Sequence, residues 1–191
     1  MLMGKNRCLL SVVLAVITGC AVLILFINAD KPAVASDRSI PVVQDSGAEQ
    51  TRKIAVHLYF SDRENGFLKS EERVLVHPND PASLGRNIIE ALIRGPQVGL
   101  AETIPAGTSL KALYLTQSGT AYIDMSPEIR EAHPGGIESE LITIYSMVNS
   151  LVLNISEINS VKILIDGSES LTLAGHVDLG SPFKANMLLI R

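Results

Sequence analysis

Three polar residues in the C-terminal half have types and spacing suited to acid–base chemistry: Asp124, His176 and Asp178. Asp124 follows an apolar stretch, at a position where a strand would end. His176 and Asp178 are two residues apart, so in an extended chain their side chains lie on the same side. An imidazole beside a carboxylate can transfer protons or bind a metal. One hypothesis is therefore a small hydrolase that uses these three side chains.

The same residues have a simpler interpretation, and the rest of the sequence favours it. A carboxylate after a strand commonly accepts hydrogen bonds from the amides of the next turn. The sequence contains no G-x-S-x-G elbow, no phosphate-binding loop and no C-x-x-C pair. The other histidines, His57, His77 and His133, form no H-E-x-x-H motif and no i, i+4 pair. We therefore predict no catalytic residue, no metal and no cofactor.

Loop motifs supply a second kind of candidate residue. Residues 104–108 (IPAGT) either line a groove or contact surface, or form a rigid turn before the next strand. Other candidates belong to the motifs around residues 124, 166 and 175. The full set of candidate contact residues is Ile104, Pro105, Gly107, Thr108, Asp124, Asp166, Gly167, Gly175, His176 and Asp178.

Alternating apolar residues predict the strands that position these loops. Ile54, Val56, Leu58 and Phe60 share one face at period two, which is typical of a strand with one buried face. Gly119 lies between two such stretches and suits a hairpin turn. The predicted strands are residues 54–60, 72–77, 110–116, 120–125, 161–165 and 171–174.

Two amphipathic segments predict helices. Asp80 and Pro81 suit the N-cap and first position of a helix that ends at Gly95. The second helix covers residues 137–154. The order of elements is then β-β-α-β-β-α-β-β. This order predicts an α+β fold, with one mainly antiparallel sheet and two helices packed on one face.

The N-terminus carries an apolar run, residues 8–27, which follows Lys5 and Arg7 and contains no acidic residue. A helix of roughly 20 apolar residues crosses a hydrocarbon core about 30 Å thick. Basic residues before such a run keep the N-terminus in the cytoplasm. We therefore predict a cytoplasmic segment at residues 1–7, a single-pass transmembrane anchor in the cell membrane at residues 8–28, and an extracytoplasmic remainder.

Two alternatives for this segment remain open. The tetrapeptide that ends at Cys20 (ITGC) resembles a bacterial lipoprotein box, in which cleavage leaves Cys20 as the lipidated N-terminus. Residues 33–35 (AVA) form an A-x-A pattern, at which signal peptidase would cleave. Each alternative also exports the domain that follows.

Composition predicts a tether and one domain beyond the anchor. Residues 29–52 are rich in Ala, Ser, Asp, Gln and Pro, which is typical of a flexible tether, and residues 53–191 form the folded domain. Two of the 16 basic residues precede the apolar run, so 14 basic and 20 acidic residues remain, a formal charge of −6. This charge argues against nucleic acid as a partner. Cys8 and Cys20 both precede the tether, so the exported part has no disulfide.

Several segments, in order, resemble the GerMN domain, a family of bacterial sporulation and spore-germination proteins. They are residues 58–60 (LYF), 91–96 (ALIRGP), 104–108 (IPAGT), 121–126 (AYIDMS), 144–151 (IYSMVNSL), 163–167 (ILIDG) and 173–178 (LAGHVD). The resemblance implies an extracytoplasmic domain with a fold similar to the ring-building motif of secretion-like assemblies. It also implies a part in positioning or building a membrane-spanning complex, without known catalysis.

Two functional hypotheses follow. The first is a membrane-anchored interaction or scaffold module that binds envelope proteins, a second copy of itself or peptidoglycan. The resemblance connects this module with sporulation or germination. The alternative is a small cell-envelope hydrolase or a protein that binds wall ligands. The hydrolase requires that Asp124, His176 and Asp178 converge in one cleft.

Overall fold

Residues 52–64 and 66–191 are described by the structure, which is a computed structural model. The predicted membrane segment at residues 8–28, the tether up to residue 51 and Cys20 lie outside the described residues. Within the described part, no helix combines the length and apolar character needed to cross a membrane.

The described chain forms five strands and three α-helices. In chain order they are β1 (Lys53–Ser61), β2 (Leu68–Val76), α1 (Pro81–Ile93), β3 (Leu110–Leu115), β4 (Thr120–Met125), α2 (Glu128–Glu131), α3 (Ile137–Val152) and β5 (Ser160–Ile165). A 3-10 turn at Met187–Leu189 lies near the C-terminus. The predicted α+β class is confirmed.

The prediction of one mainly antiparallel sheet was wrong. β1 and β2 form a two-stranded antiparallel sheet, and β3, β4 and β5 form a separate three-stranded sheet. β4 and β5 are parallel because the intervening chain crosses over through α3. The predicted strand at residues 171–174 is a loop with one isolated bridge, Thr172 to Asp178. The observed order is therefore β-β-α-β-β-α-α-β.

Local sequence signals determine α1. Asp80 caps the helix, since its Oδ1 accepts from the Ala82 amide at 3.1 Å and its Oδ2 from the Ser83 amide at 2.9 Å. Pro81 occupies the first helical position. Gly95, with φ 80°, follows the helix in the left-handed conformation that favours glycine. The predicted start and end of this helix are confirmed.

Side chains of α3 and of the turn after it form hydrogen bonds with the backbone at the free edge of β1. The Tyr59 amide donates to Ser150 Oγ at 3.0 Å, and the Tyr59 carbonyl accepts from Ser146 Oγ at 2.6 Å. The His57 amide donates to Asn154 Oδ1 at 2.8 Å, and Asn154 Nδ2 donates back to the His57 carbonyl at 2.7 Å. The donors and acceptors repeat every four residues along the helix and every two residues along the strand. Four helical residues rise about 6.0 Å and two strand residues about 6.6 Å, so the two spacings match. These contacts occupy the edge at which another strand would have paired.

The core lies between the two sheets and the helices. α3 packs on β1, α1 and β5, while α1 also packs on β1 and β3. The largest fully buried side chains are Phe60, Leu58, Leu68, Ile88, Ile89, Leu92, Ile123, Met125, Ile129, Ile144, Met147 and Leu151. In the absence of a disulfide in this part of the sequence, this apolar packing stabilises the domain.

We expect Ser150→Ala to lower the free energy of unfolding by about 1–3 kcal/mol, because it leaves the buried Tyr59 amide without an acceptor. Urea unfolding of the full chain, followed by circular dichroism, measures the change. Ser156→Ala, at an exposed residue, is the matched control and should change stability by no more than about 0.5 kcal/mol. Equal effects of the two substitutions would contradict the proposed pairing.

Candidate functional site

A cleft of about 640 Å³ lies beside the start of α3. One wall is the loop at residues 102–106, and the other is the turn at residues 134–136 with the first turns of α3. The residues that line it are Ser61, Gly66, Glu102, Thr103, Ile104, Pro105, Ala106, Pro134, Gly135, Gly136, Ile137, Glu138, Ser139, Ile142 and Thr143. The cleft therefore combines apolar, hydroxyl and acidic groups.

The predicted 104–108 motif contributes to one wall and also forms a tight turn. Ile104 and Pro105 line the cleft. The Thr108 amide donates to the Pro105 carbonyl at 3.3 Å, and Gly107 has φ 81°, as position three of a type II turn requires. Thr108 is buried, and its hydroxyl has no hydrogen-bond partner in the described part of the chain. Both interpretations of the motif, a groove wall and a rigid turn, describe parts of it.

A chain of hydrogen bonds begins in the wall formed by the 134–136 turn. The Gly135 amide donates to His133 Nδ1 at 3.0 Å, so the proton of the neutral ring lies on Nε2. Nε2 donates to Thr143 Oγ1 at 3.1 Å, and that hydroxyl donates to the Thr103 carbonyl at 2.6 Å. The two walls are therefore connected through side chains of α3 and His133.

The same network continues to β1. The hydroxyls of Thr103 and Ser146 are 2.6 Å apart, and Ser146 donates to the Tyr59 carbonyl. Thr103 must then be the donor to Ser146, since a hydroxyl has one proton. The cleft is built on the helix–strand contact that closes the free edge of β1.

Burial lowers the pKa of His133, and the charge of Glu140 opposes this shift. The neutral ring is the form that the hydrogen bonds require, because Nδ1 can accept from Gly135 only when it carries no proton. Protonation of His133 would therefore break the contact that holds the 134–136 turn.

Two carboxylates belong to the cleft, and neither has a charged partner in the described part of the chain. Glu102 and Glu138 are exposed residues among those that line it. The Glu138 carboxylate lies against Gly66, so close that a Cβ at position 66 would overlap with the carboxylate. The residues that line the cleft include no Lys, Arg or His. The formal charge of the side chains that line the cleft is therefore negative.

A buried carboxylate, Glu140, positions the loop that contains His176. Glu140 is fully buried and accepts from the Val177 amide at 2.9 Å, the His176 amide at 3.2 Å and His176 Nδ1 at 2.8 Å. Burial alone would raise the pKa of Glu140, but these donors and the Ala174 amide outweigh it and hold the pKa below its ordinary value. Glu140 was not among the residues predicted from the sequence. The available signal was a carboxylate on the same helical stripe as Ile144 and Leu151.

The three residues of the hydrolase alternative have separate partners. Asp124 accepts from the Gly167 amide at 2.7 Å, and Asp178 accepts from the Gly180 amide at 2.7 Å. His176 bonds Glu140, as described above. Among the described residues, no hydrogen bond joins any two of Asp124, His176 and Asp178, and none of the three lines the cleft.

The other predicted site residues form turns. Asp166 and Gly167, with φ 54° and 74°, occupy a two-residue turn after β5, which their positive φ values favour. The Asp166 carboxylate forms an ion pair with Lys111. Gly175, with φ 117°, lies in the loop that Glu140 holds. In the described part of the chain, no group of three His, Cys, Asp or Glu residues is placed to hold a metal ion.

A family model described as "Germane: Sporulation and spore germination" matches residues 57–171, more than half of the 191-residue chain. The chain belongs to the Germane family. The matched range includes both walls of the cleft and Glu140. No curated protein matches the chain.

Solved structures also resemble the Germane domain of this chain. The first GerMN domain of the sporulation protein GerM from Bacillus subtilis is 23% identical, with 70% of this chain and 98% of that chain covered and a TM-score of 0.54. For the tandem GerMN domains of GerM, the identity is 22%, the coverage 70% and 46%, and the TM-score 0.56. This chain therefore spans about half of the tandem. These likenesses show the GerMN fold, and the predicted resemblance is confirmed.

A third solved structure comes from Clostridium perfringens and is described as a candidate lipoprotein. It is 28% identical, with 69% of this chain and 87% of that chain covered and a TM-score of 0.49.

We expect Glu140→Gln to lower the free energy of unfolding by about 1.5–3 kcal/mol at pH 7, because it weakens several hydrogen bonds to a charged group. The folded-state pKa of Glu140 lies below the ordinary value of 4.5, so its stabilisation is complete above that value and is lost as the pH falls through the folded pKa. Urea unfolding from pH 7 to pH 3 should show a smaller acid loss in the variant. Glu131→Gln, at an exposed residue, should behave like wild type.

We expect His133 to make the domain less stable as the pH falls below 6.5. The folded-state pKa of His133 is lowered, so the unfolded chain takes up a proton that the folded chain resists. Its contribution is complete above pH 6.5 and decreases below it. Urea unfolding at pH 7.5 and pH 5.5 should give a smaller pH effect for His133→Gln than for wild type. The control His57→Gln, at an exposed residue, should keep the wild-type pH effect.

Proposed function

We propose that this protein is a non-catalytic, extracytoplasmic interaction module, attached to the membrane, which binds an envelope protein or a second copy of itself through the cleft beside α3. Membership of the Germane family supports a role in an assembly connected with sporulation or germination. The proposed layout places a cytoplasmic segment at residues 1–7, an anchor at 8–28 and a tether at 29–52. Lipidation of Cys20 is the alternative mode of attachment.

The position of the cleft carries this proposal. The tether would enter the domain at Arg52, next to the start of β1, whereas Ser61 and Gly66 line the cleft at the other end of that strand. Nine residues of extended chain span about 26 Å. The cleft is therefore at the end of β1 away from the point of attachment, where a partner in the envelope can reach it.

The hydrogen bonds of the polar side chains support a binding role over the hydrolase alternative. Acid–base catalysis requires groups within hydrogen-bond reach of one substrate atom. Asp124, His176 and Asp178 instead each bind a separate structural partner. Thr103 and Thr143, which do line the cleft, are used to connect its walls. A groove whose walls combine apolar residues with carboxylates unpaired among the described residues is suited to docking a partner segment.

The test is photo-crosslinking in cells, with a photoreactive residue placed in the full chain at Ala106 or at Ile137. Both residues line the cleft and are exposed. We expect both positions to capture the same envelope protein, or a second copy of this chain, identified by mass spectrometry. The control position is Leu171, which is 85% exposed and does not line the cleft.

Capture from Leu171 alone would place the contact elsewhere and contradict the proposed site. If neither cleft position captures a protein and the cleft positions react with purified peptidoglycan, the protein-docking function is wrong and a wall ligand takes its place.

A further inference from the structure

We infer that the cleft accepts an extended peptide segment of a partner protein, in which a lysine or arginine lies next to apolar side chains. This inference rests on the proposed docking function and specifies the chemistry of the partner.

The first argument is charge complementarity. Glu102 and Glu138 form no hydrogen bond or ion pair with any described residue, and no basic residue lines the cleft. The positive end of the α3 dipole does not require an added anion, because Glu138 and Glu140 already lie in the first turn of the helix. These two carboxylates therefore favour a cation on the partner and disfavour an anion.

The second argument is the backbone of the 102–106 wall. Ser61 and Ala101 form an antiparallel bridge, with N–O distances of 3.2 and 2.8 Å, so the chain enters this wall in an extended form. The next amides, those of Glu102 and Ile104, donate to no acceptor within the described residues. Unpaired amides along an extended segment are the groups to which an added peptide strand bonds.

The third argument is the apolar surface. Ile137 is 62% exposed at the first position of α3, next to Pro134 in the same wall. Ile104 and Ile142 are buried residues that line the cleft. Docked apolar side chains would cover Ile137 and lie beside these two residues, which is favourable because apolar area is removed from water. A segment that alternates cationic and apolar side chains satisfies both surfaces at once.

The experiment measures the binding of two fluorescein-labelled hexapeptides to the full chain in detergent by fluorescence anisotropy. One probe alternates Val with Lys, and the other alternates Val with Glu. We expect the Val–Lys peptide to bind at least about tenfold more tightly than the Val–Glu peptide. The double substitution Glu102→Gln with Glu138→Gln should reduce this ratio toward one. The control, Glu72→Gln with Glu157→Gln, removes the same charge at exposed residues outside the cleft and should keep the ratio.

Equal affinity of the two peptides, or a preference that survives the cleft substitutions, would overturn the inference. Thermal melting of each variant, followed by circular dichroism, shows whether a lost preference comes from unfolding. If the cleft variant has the melting temperature of wild type and keeps the preference, the inference is wrong. Failure of the inference can be separated from failure of the proposed function. If crosslinking from Ala106 and Ile137 captures a partner segment without Lys or Arg, docking stands and the cationic requirement is wrong.

Discussion

The backbone groups on the free edge of β1 must find partners, because the second half of this strand is buried and only β2 lies beside it in its sheet. Side chains of α3 and the following turn supply them, at Ser146, Ser150 and Asn154. Their spacing of four residues matches the two-residue repeat of the strand. The helix thus occupies the place of a neighbouring strand. Because no strand of the second sheet pairs with this edge of β1, the two sheets stay separate.

The cleft depends on the same helix. Ser146 bonds both β1 and Thr103, and Thr143 bonds Thr103 and His133, so the walls of the cleft are fixed to the contact between α3 and β1. One turn earlier, Glu140 holds the loop at residues 174–177. A single helix therefore packs the apolar core on one stripe and positions three loops with polar side chains. Substitutions of these polar side chains act on the fold and on the shape of the cleft together.

The sequence predicted the features that are determined locally. Asp80, Pro81 and Gly95 bound α1 because capping acts within a few residues. Asp124 has a structural partner, but not the local one expected, because its carboxylate accepts from the Gly167 amide 43 residues along the chain. The division into two sheets was missed because no local pattern shows which groups cover a strand edge when they lie about 90 residues away in the chain.

The sequence indicated only the part of the cleft that a local motif forms. Ile104 and Pro105 stood out as a motif and do line it. Its acidic character was not predicted, because Glu102 and Glu138 come from segments that only the fold brings together. Glu140 carried a readable signal, a carboxylate among the buried positions of α3, and a buried carboxylate needs several donors.

The distance in sequence between β1 and its partners determines the order in which the domain can fold. His57 and Asn154 are 97 residues apart, whereas β1 and β2 can pair as soon as both have been synthesised. Until α3 follows, the hairpin exposes an unpaired edge beside apolar residues such as Leu58 and Phe60, which is the state most prone to pairing with another chain. High contact order of this kind slows folding. Folding therefore includes an interval in which neighbouring chains compete with α3 for that edge.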